Sequence, residues 1–342
     1  MNARVAKDPI LSVVLTTHNR AALLQRVLAG LAEQSARSNL YELLIVDDGS
    51  TDRTPDVVAD FAKRMPVRYY RQAASGLAIA KNHGLYHSRG EVALFLDDDD
   101  IPAPGLVEEH IAMHETYPAK HYAVLGLTVL ESSIAVRPLM HFATKVGCYL
   151  SAYVGLTDGD VLDYTYYWGG RTSCKRALFA ACGIFNPVFR FGCEDIELGY
   201  RLREQGLKVV FAAEALSTMI RDIPFNEFCR RLERQGQSQY VFYKLHPFEE
   251  IARWTQVNEA AERWPVIRDG FARLVERARC LDVMANDMAQ SGMELTPDFT
   301  QLLYEAYWTA FDACKFKGIQ EVAQPRTWPS EPERFCYAVT GS

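Results

Sequence analysis

The chain has 342 residues, 49% of them apolar and 23% charged, with a formal net charge of −6. This length bounds the domain count at about one to three, and the composition excludes a disordered chain. The acidic balance argues against nucleic acid as a partner, and no run approaches the ~20 apolar residues of a membrane span. LSVVLTT (11–17) has the pattern of a buried strand, and Ala22, Leu23, Leu24, Val27, Leu28 and Leu31 follow at helical spacing. ELLIV (42–46) is a second strand ended by the turn-rich DDGSTD, and Pro55 opens a helix through Phe61. VRYY (67–70), a short helix over 76–88 and the apolar strand EVALFL (91–96) come next. Pro104 starts a helix to about Glu115, and YAVLGLTVL (122–130) is strand again. Over 132–170 the pattern loosens and is rich in Tyr, with Tyr149, Tyr153, Tyr164, Tyr166 and Tyr167. A helix near 175–182, a helix from Glu194 to Gln205 and the strand LKVVFA (207–212) restore regularity. After Phe225 the pattern is helical, with Trp254, Trp264 and Trp308 as expected packing anchors, and PRTWPSEPER (325–334) is a tail or loop.

Apolar strands separated by helices imply an α/β sheet covered on both faces, with ligands outside the carboxyl ends of its strands. The polar motifs fall at those ends. Asp97 to Asp100 follow the fourth strand directly. One Asp is explained as a helix cap, but four adjacent carboxylates repel unless a charge compensates them. Hard oxygen ligands suit Mg²⁺ or Mn²⁺ completed by phosphate. In VDDGSTD (46–52) the turn chemistry explains Gly49 and the capping residues, leaving Asp47 and Asp48 to accept hydrogen bonds from a base or a ribose. Lys81 and Asn82 meet a phosphate or ribose, or are simply solvated. His83 and His87 share one helix face. Glu194 and Asp195 open a helix whose dipole favours acids, and Asp195 is also a candidate general base. Glu197 and Arg201 form an ordinary i, i+4 pair.

The eight cysteines, Cys148, Cys174, Cys182, Cys193, Cys229, Cys280, Cys314 and Cys336, contain no C-x-x-C pair. Reduced thiols are therefore expected, without a zinc site or a disulfide framework. MNARVAKDPI lacks the apolar core of a signal peptide. The expected location is cytoplasmic, compatible with peripheral association at the inner face of the membrane.

The ordered set LTTHNR, VDDGSTD, LAIAKNHG, FLDDDD, GGRTSCKRALF and FGCEDIELGYRL resembles the family-2 glycosyltransferases of the GT-A fold, over about residues 10–240. The resemblance implies a doubly wound mixed sheet over 1–224, with a helical C-terminal region over 225–342 that helps to complete the active and acceptor sites. It implies inverting transfer from a nucleotide-sugar donor, UDP-linked by preference, to a glycan or lipid-linked acceptor, with Mn²⁺ or Mg²⁺. Thr16 and Asp48 then contact the base, and Lys81 stands where members carry a basic residue. Asp97 and Asp98 face the nucleotide, Asp99 and Asp97 the metal, and Asp100 is left as a structural cap. Gly169 and Gly170 lie beside the donor sugar. Asp195 is the catalytic base, with Glu194 next to it at the substrate. Arg231, Arg234 and Ser238 in RRLERQGQSQY lie over the pyrophosphate. Two features depart from the family pattern. Arg171 replaces a small polar residue or Asn, and STMIRDIP (217–224) lacks the usual His, for which His246 is the candidate metal ligand. The rival readings are a sugar-phosphate nucleotidyltransferase, disfavoured because LTTHNRAA has no glycine loop, and a non-catalytic nucleotide-sugar binding protein.

Overall fold

The computed structural model describes residues 8–323, so Cys336 and the PRTWPSEPER segment lie outside the described residues. The chain order is β1 (Leu11–Thr17), α1 (Ala21–Ala32), β2 (Tyr41–Asp47), α2 (Thr54–Phe61), β3 (Val67–Arg71), α3 (Leu77–His87), β4 (Val92–Asp97), β5 (Asp100–Pro102), α4 (Leu106–Thr116) and β6 (Tyr122–Leu130). Two short helices, α5 (Ser132–Ala135) and α6 (Pro138–His141), run into a π-helical turn (Phe142–Val146). β7 (Val161–Leu162), β8 (Thr172–Lys175), α7 (Glu194–Leu202) and β9 (Lys208–Met219) complete the sheet region. The remaining elements are helical: α8 (Phe225–Leu245), α9 (Glu249–Thr255), α10 (Val257–Ile267), α11 (Phe271–Gln290) and α12 (Pro297–Ala323). Among the described residues no helix is long and apolar enough to cross a membrane.

One mixed sheet runs in the order β3-β2-β1-β4-β8-β6-β9-β5, with β7 beside β9. β1 is buried along its whole length because both its faces are covered. Leu11, Val13 and Leu15 pack with Leu24, Val27, Leu28 and Leu31 of α1, while Val14 packs with Phe95, Ala78 and Leu85. Gly84 of α3 lies so close to Val14 that a Cβ there would press on its methyl group. The parallel registers set Thr17 beside Asp47 and Thr16 beside Asp97, so the polar motifs share one edge of the sheet.

Three local expectations change. Thr172–Lys175, buried throughout, enters the sheet as β8 between β4 and β6, which leaves only a 3-10 turn at Arg176–Ala180 in place of a helix near 175–182. The strand expected at 207–212 continues to Met219, through a register shift that pairs Gly126 with Ala212 and Leu127 with Leu216. Trp308 is 42% exposed and meets Phe142 only edge-on, so the aromatic core there is built by Phe142, Phe228, Tyr307 and Phe311 instead.

α8 and α12 cross at two glycines. A Cβ on Gly236 would overlap the Lys315 carbonyl, and one on Gly318 the Glu233 carbonyl. Backbone thus packs on backbone, with no side chain able to yield. Gly318→Ala should lower stability by about 1–3 kcal/mol, the range for overpacking a filled interface. Urea unfolding is the measurement, with Gly105→Ala, which faces open space, remaining near wild type.

Candidate active site

A cleft of about 430 Å³ opens at the carboxyl edge of β1, β2 and β4, a size ordinary for small-molecule sites. Thr16, Asp48, Lys81, Asp97, Asp98, Asp99, Gly170, Glu194, Asp195, Arg231 and Arg234 all line it. Ser238 and His246 do not.

The acidic row is met by three guanidinium groups from distant parts of the chain. Asp98 accepts from Thr17 Oγ1 at 2.7 Å and from Arg20 Nη1 at 2.5 Å. Asp99 Oδ2 lies 3.3 Å from Arg20 and 3.5 Å from Arg221. Asp100, fully buried, meets Arg171 at 3.3 Å and Thr128 Oγ1 at 3.2 Å. Asp97 has a more exposed side chain and lies 3.7 Å from Arg171. Burial raises Asp98 to about 6 and Asp100 to about 7, although the arginines pull the other way. Two assignments are corrected. Asp100 is not a helix cap but a β5 residue in a buried ion pair. Asp98 has both oxygens engaged within the protein and holds Arg20 rather than facing a ligand.

The second strand end is also more internal than expected. Asp47 is buried, accepting from the Ser50 N–H and Tyr69 OH. Asp48 borders the cleft, but its oxygens already accept from Gln72 Nε2 and the Ser75 and Gly76 N–H groups, clamping the loop into α3. Lys81 is not a free phosphate-binding cation. It is buried, with its ammonium 2.8 Å from Glu194 Oε1 and 5.3 Å from the Phe185 ring. Burial would lower its pKa, but Glu194, Asp195 and Asp97 outweigh this and raise it. Asn82 is spent on the Phe185 backbone, and His83 and His87 pack against Tyr70.

Asp195 lies in the first turn of α7. Its Oδ2 accepts from the Gly169 N–H and its Oδ1 from the Ile196 N–H, both at 2.8 Å. Burial, reinforced by Glu194, raises it to about 6 despite Lys81 and these two donors. Gly169 and Gly170 form a shared wall. A Cβ on Gly169 would crowd Lys81 and Asp195, and one on Gly170 would overlap the Asp97 carboxylate. The wall sets the candidate base and the exposed member of the acidic row on either side of two consecutive residues.

α8 supplies the opposite charge. Arg231 and Arg234 lie over the Phe191 ring at 5.1 and 3.9 Å, and among the described residues neither has a carboxylate within 4 Å. Ser238 donates to the Phe191 carbonyl at 2.6 Å, so it fastens that loop to α8 instead of facing a ligand. His246 is corrected as a metal ligand. It binds Glu197 at 2.9 Å and packs on Tyr200 and Phe242, with no part in the acidic row. Glu197 is itself buried, so its pair with Arg201 is internal rather than superficial. Arg20 and Arg221 were not assigned from sequence. The signal for Arg20 is the pairing of β1 with β4, which sets the residues after Thr17 beside those after Asp97.

Among the described residues no three His, Cys, Asp or Glu side chains are grouped as a metal cage. Exposed Asp97 and one oxygen of Asp99 are hard donors that fit a divalent cation completed by phosphate oxygens and water.

Residues 12–137 match the family model described as Glycosyl transferase family 2. Over these residues the chain is similar to glycosyltransferase family 2. It is 32% identical over 231 residues to validoxylamine A glucosyltransferase of Streptomyces hygroscopicus subsp. jinggangensis (strain 5008), covering 60% of this chain and 54% of that one. The chain thus spans about half the length of the curated relatives it matches first. Among solved structures it is similar to the mannosyltransferase PcManGT from Pyrobaculum calidifontis in complex with GDP-Man and Mn²⁺, with TM-score 0.57, 19% identity and coverage of 93% of this chain and 88% of that one. It is also similar to residues 1–349 of S. aureus TarS, with TM-score 0.50, 15% identity and 92% of each chain covered. These likenesses show the GT-A fold.

Lys81→Met would leave Glu194 charged and buried without its cation. A loss of about 3–5 kcal/mol is expected, as for a broken buried ion pair, measured by chemical denaturation. Lys81→Met combined with Glu194→Gln should recover much of it.

Proposed function

We propose that this protein is an inverting glycosyltransferase, moving a sugar from a nucleoside-diphosphate sugar to a hydroxyl of a glycan or lipid-linked acceptor. The observation that carries the reading is the Gly169–Gly170 wall, with buried Asp195 on one side and Asp97 on the other, inside a cleft that α8 lines with two arginines that have no carboxylate partner among the described residues. The named glycosyltransferase relatives support the reaction class. UDP-sugars are the preferred donors, and GDP-mannose belongs in the same panel because the similar mannosyltransferase was solved with it.

In this proposal Asp97 and Asp99 hold Mn²⁺ or Mg²⁺, which would neutralise charge on the departing diphosphate. Arg231 and Arg234 take the phosphate oxygens as planar donors. Thr16 and the Asp48-clamped loop border the nucleoside. Asp195 accepts the proton of the acceptor hydroxyl as it attacks the anomeric carbon, help worth roughly 10²–10⁴ in rate. Glu194 holds Lys81, and Lys81 lowers the proton affinity of Asp195. In this reading α8 helps to complete the donor site, since Arg231 and Arg234 line the cleft.

Asp195 works as a base only when ionised. With its pKa raised to about 6, turnover should be level above about pH 7 and fall close to tenfold per unit below pH 6. A pH profile of kcat/KM with the best donor tests this, and a flat profile down to pH 5 would place the base elsewhere. UDP with Mn²⁺ at ~100 Kd should add about 2.7 kcal/mol of stability, seen as a raised melting temperature. Absence of a shift with every nucleoside diphosphate and metal would sink the donor site. Asp195→Asn should bind nucleotide normally yet lose transfer.

A further inference from the structure

We propose that Arg171 is a positioning residue of the donor site, fixing the direction in which Asp97 presents its carboxylate. This rests on the donor-site reading above. The bland alternative is that Arg171 exists only to neutralise buried Asp100. The geometry argues against that. An arginine dedicated to one carboxylate commonly offers it two parallel N–H groups. Here a single nitrogen, Nη2, faces both acids, 3.3 Å from Asp100 Oδ2 and 3.7 Å from Asp97 Oδ2. The other Asp100 oxygen and Arg171 Nε are buried without any hydrogen-bond partner. The guanidinium makes no hydrogen bond to Asp100 and lies between the buried acid and the one that borders the cleft.

The adjacent residue grips Asp97 as well. The Asp97 N–H donates to the Gly170 carbonyl at 3.2 Å, and the Gly170 backbone lies so close to the carboxylate that no Cβ fits. A carboxylate at the mouth of an open cleft would otherwise change rotamer freely. Residues 170 and 171 together bound the Asp97 carboxylate on one side, and Asp100 is the buried anchor beside Arg171. Arg171 also lines the cleft, but the proposed effect of anchor and arginine goes through Asp97.

The test separates this role from charge balance. Arg171→Met with Asp100→Asn removes both buried charges, so folding survives, but Asp97 loses its guanidinium. Binding of UDP and of GDP, each with Mn²⁺, is measured by calorimetry beside thermal melting. The expected result is melting near that of wild type and a Kd for the nucleotide with Mn²⁺ raised about 10-fold or more, the usual effect of removing a group that orients a ligand. Wild-type affinity in the double variant would overturn the proposal and leave Arg171 as a counter-ion alone. Should that variant fail to fold, Arg171→Lys decides. Its ammonium still neutralises Asp100 but ends one bond short of Nη2, the atom that faces both acids, so the same loss is expected, and wild-type affinity overturns the proposal. If neither nucleotide binds the wild-type protein, the donor-site reading itself fails and this inference falls with it, an outcome distinguished by appearing before any substitution is made.

Discussion

Four carboxylates in a row at the end of a buried strand cannot be folded away without countercharge. The surrounding architecture meets that constraint. β1 runs parallel to β4 and brings Arg20 beside Asp98 and Asp99. β8 inserts antiparallel on the other side of β4 and delivers Arg171 to Asp97 and Asp100. β9 extends to pair with β5, and just beyond its end Arg221 reaches Asp99. Three guanidinium groups thus meet the four acids beside the cleft.

The second requirement is closeness. The candidate base and the acidic row come from segments about a hundred residues apart, yet only two residues without side chains separate them. Small-residue contacts recur at the α8–α12 crossing, where Gly236 and Gly318 let the two helices meet backbone to backbone. In both places precision comes from backbone packing on what it must meet, which leaves less room for relaxation than an interface of flexible side chains.

Much of this was legible in the sequence. Continuous apolar runs such as LSVVLTT and EVALFL exposed the parallel strands, and the motif order pointed to the family. What stayed hidden were pairings between distant residues. Arg20 was visible in LTTHNR but carried no sign of its partner, because that depends on strand order rather than spacing. Lys81 looked like a free cation since its partner, Glu194, lies 113 residues on. TSCK was too short and too polar at its ends to announce a strand, and only its place between β4 and β6 makes it one. His246 had the right chemistry for a metal ligand and the wrong location, packed among Glu197, Tyr200 and Phe242.

Cys193, immediately before the acidic start of α7, takes the left-handed backbone conformation with φ 64°, and its side chain is buried. That conformation costs a non-glycine residue roughly 1–2 kcal/mol. Glycine would adopt it freely, and the preceding Gly192, also at positive φ, shows the turn accepts glycine. A second glycine would make this junction a swivel. The thiol, lodged in the core with Ile196 and Leu198, is instead an anchor pin. The protein tolerates local discomfort at 193, and Asp195, two residues on, inherits the stiffness of the core.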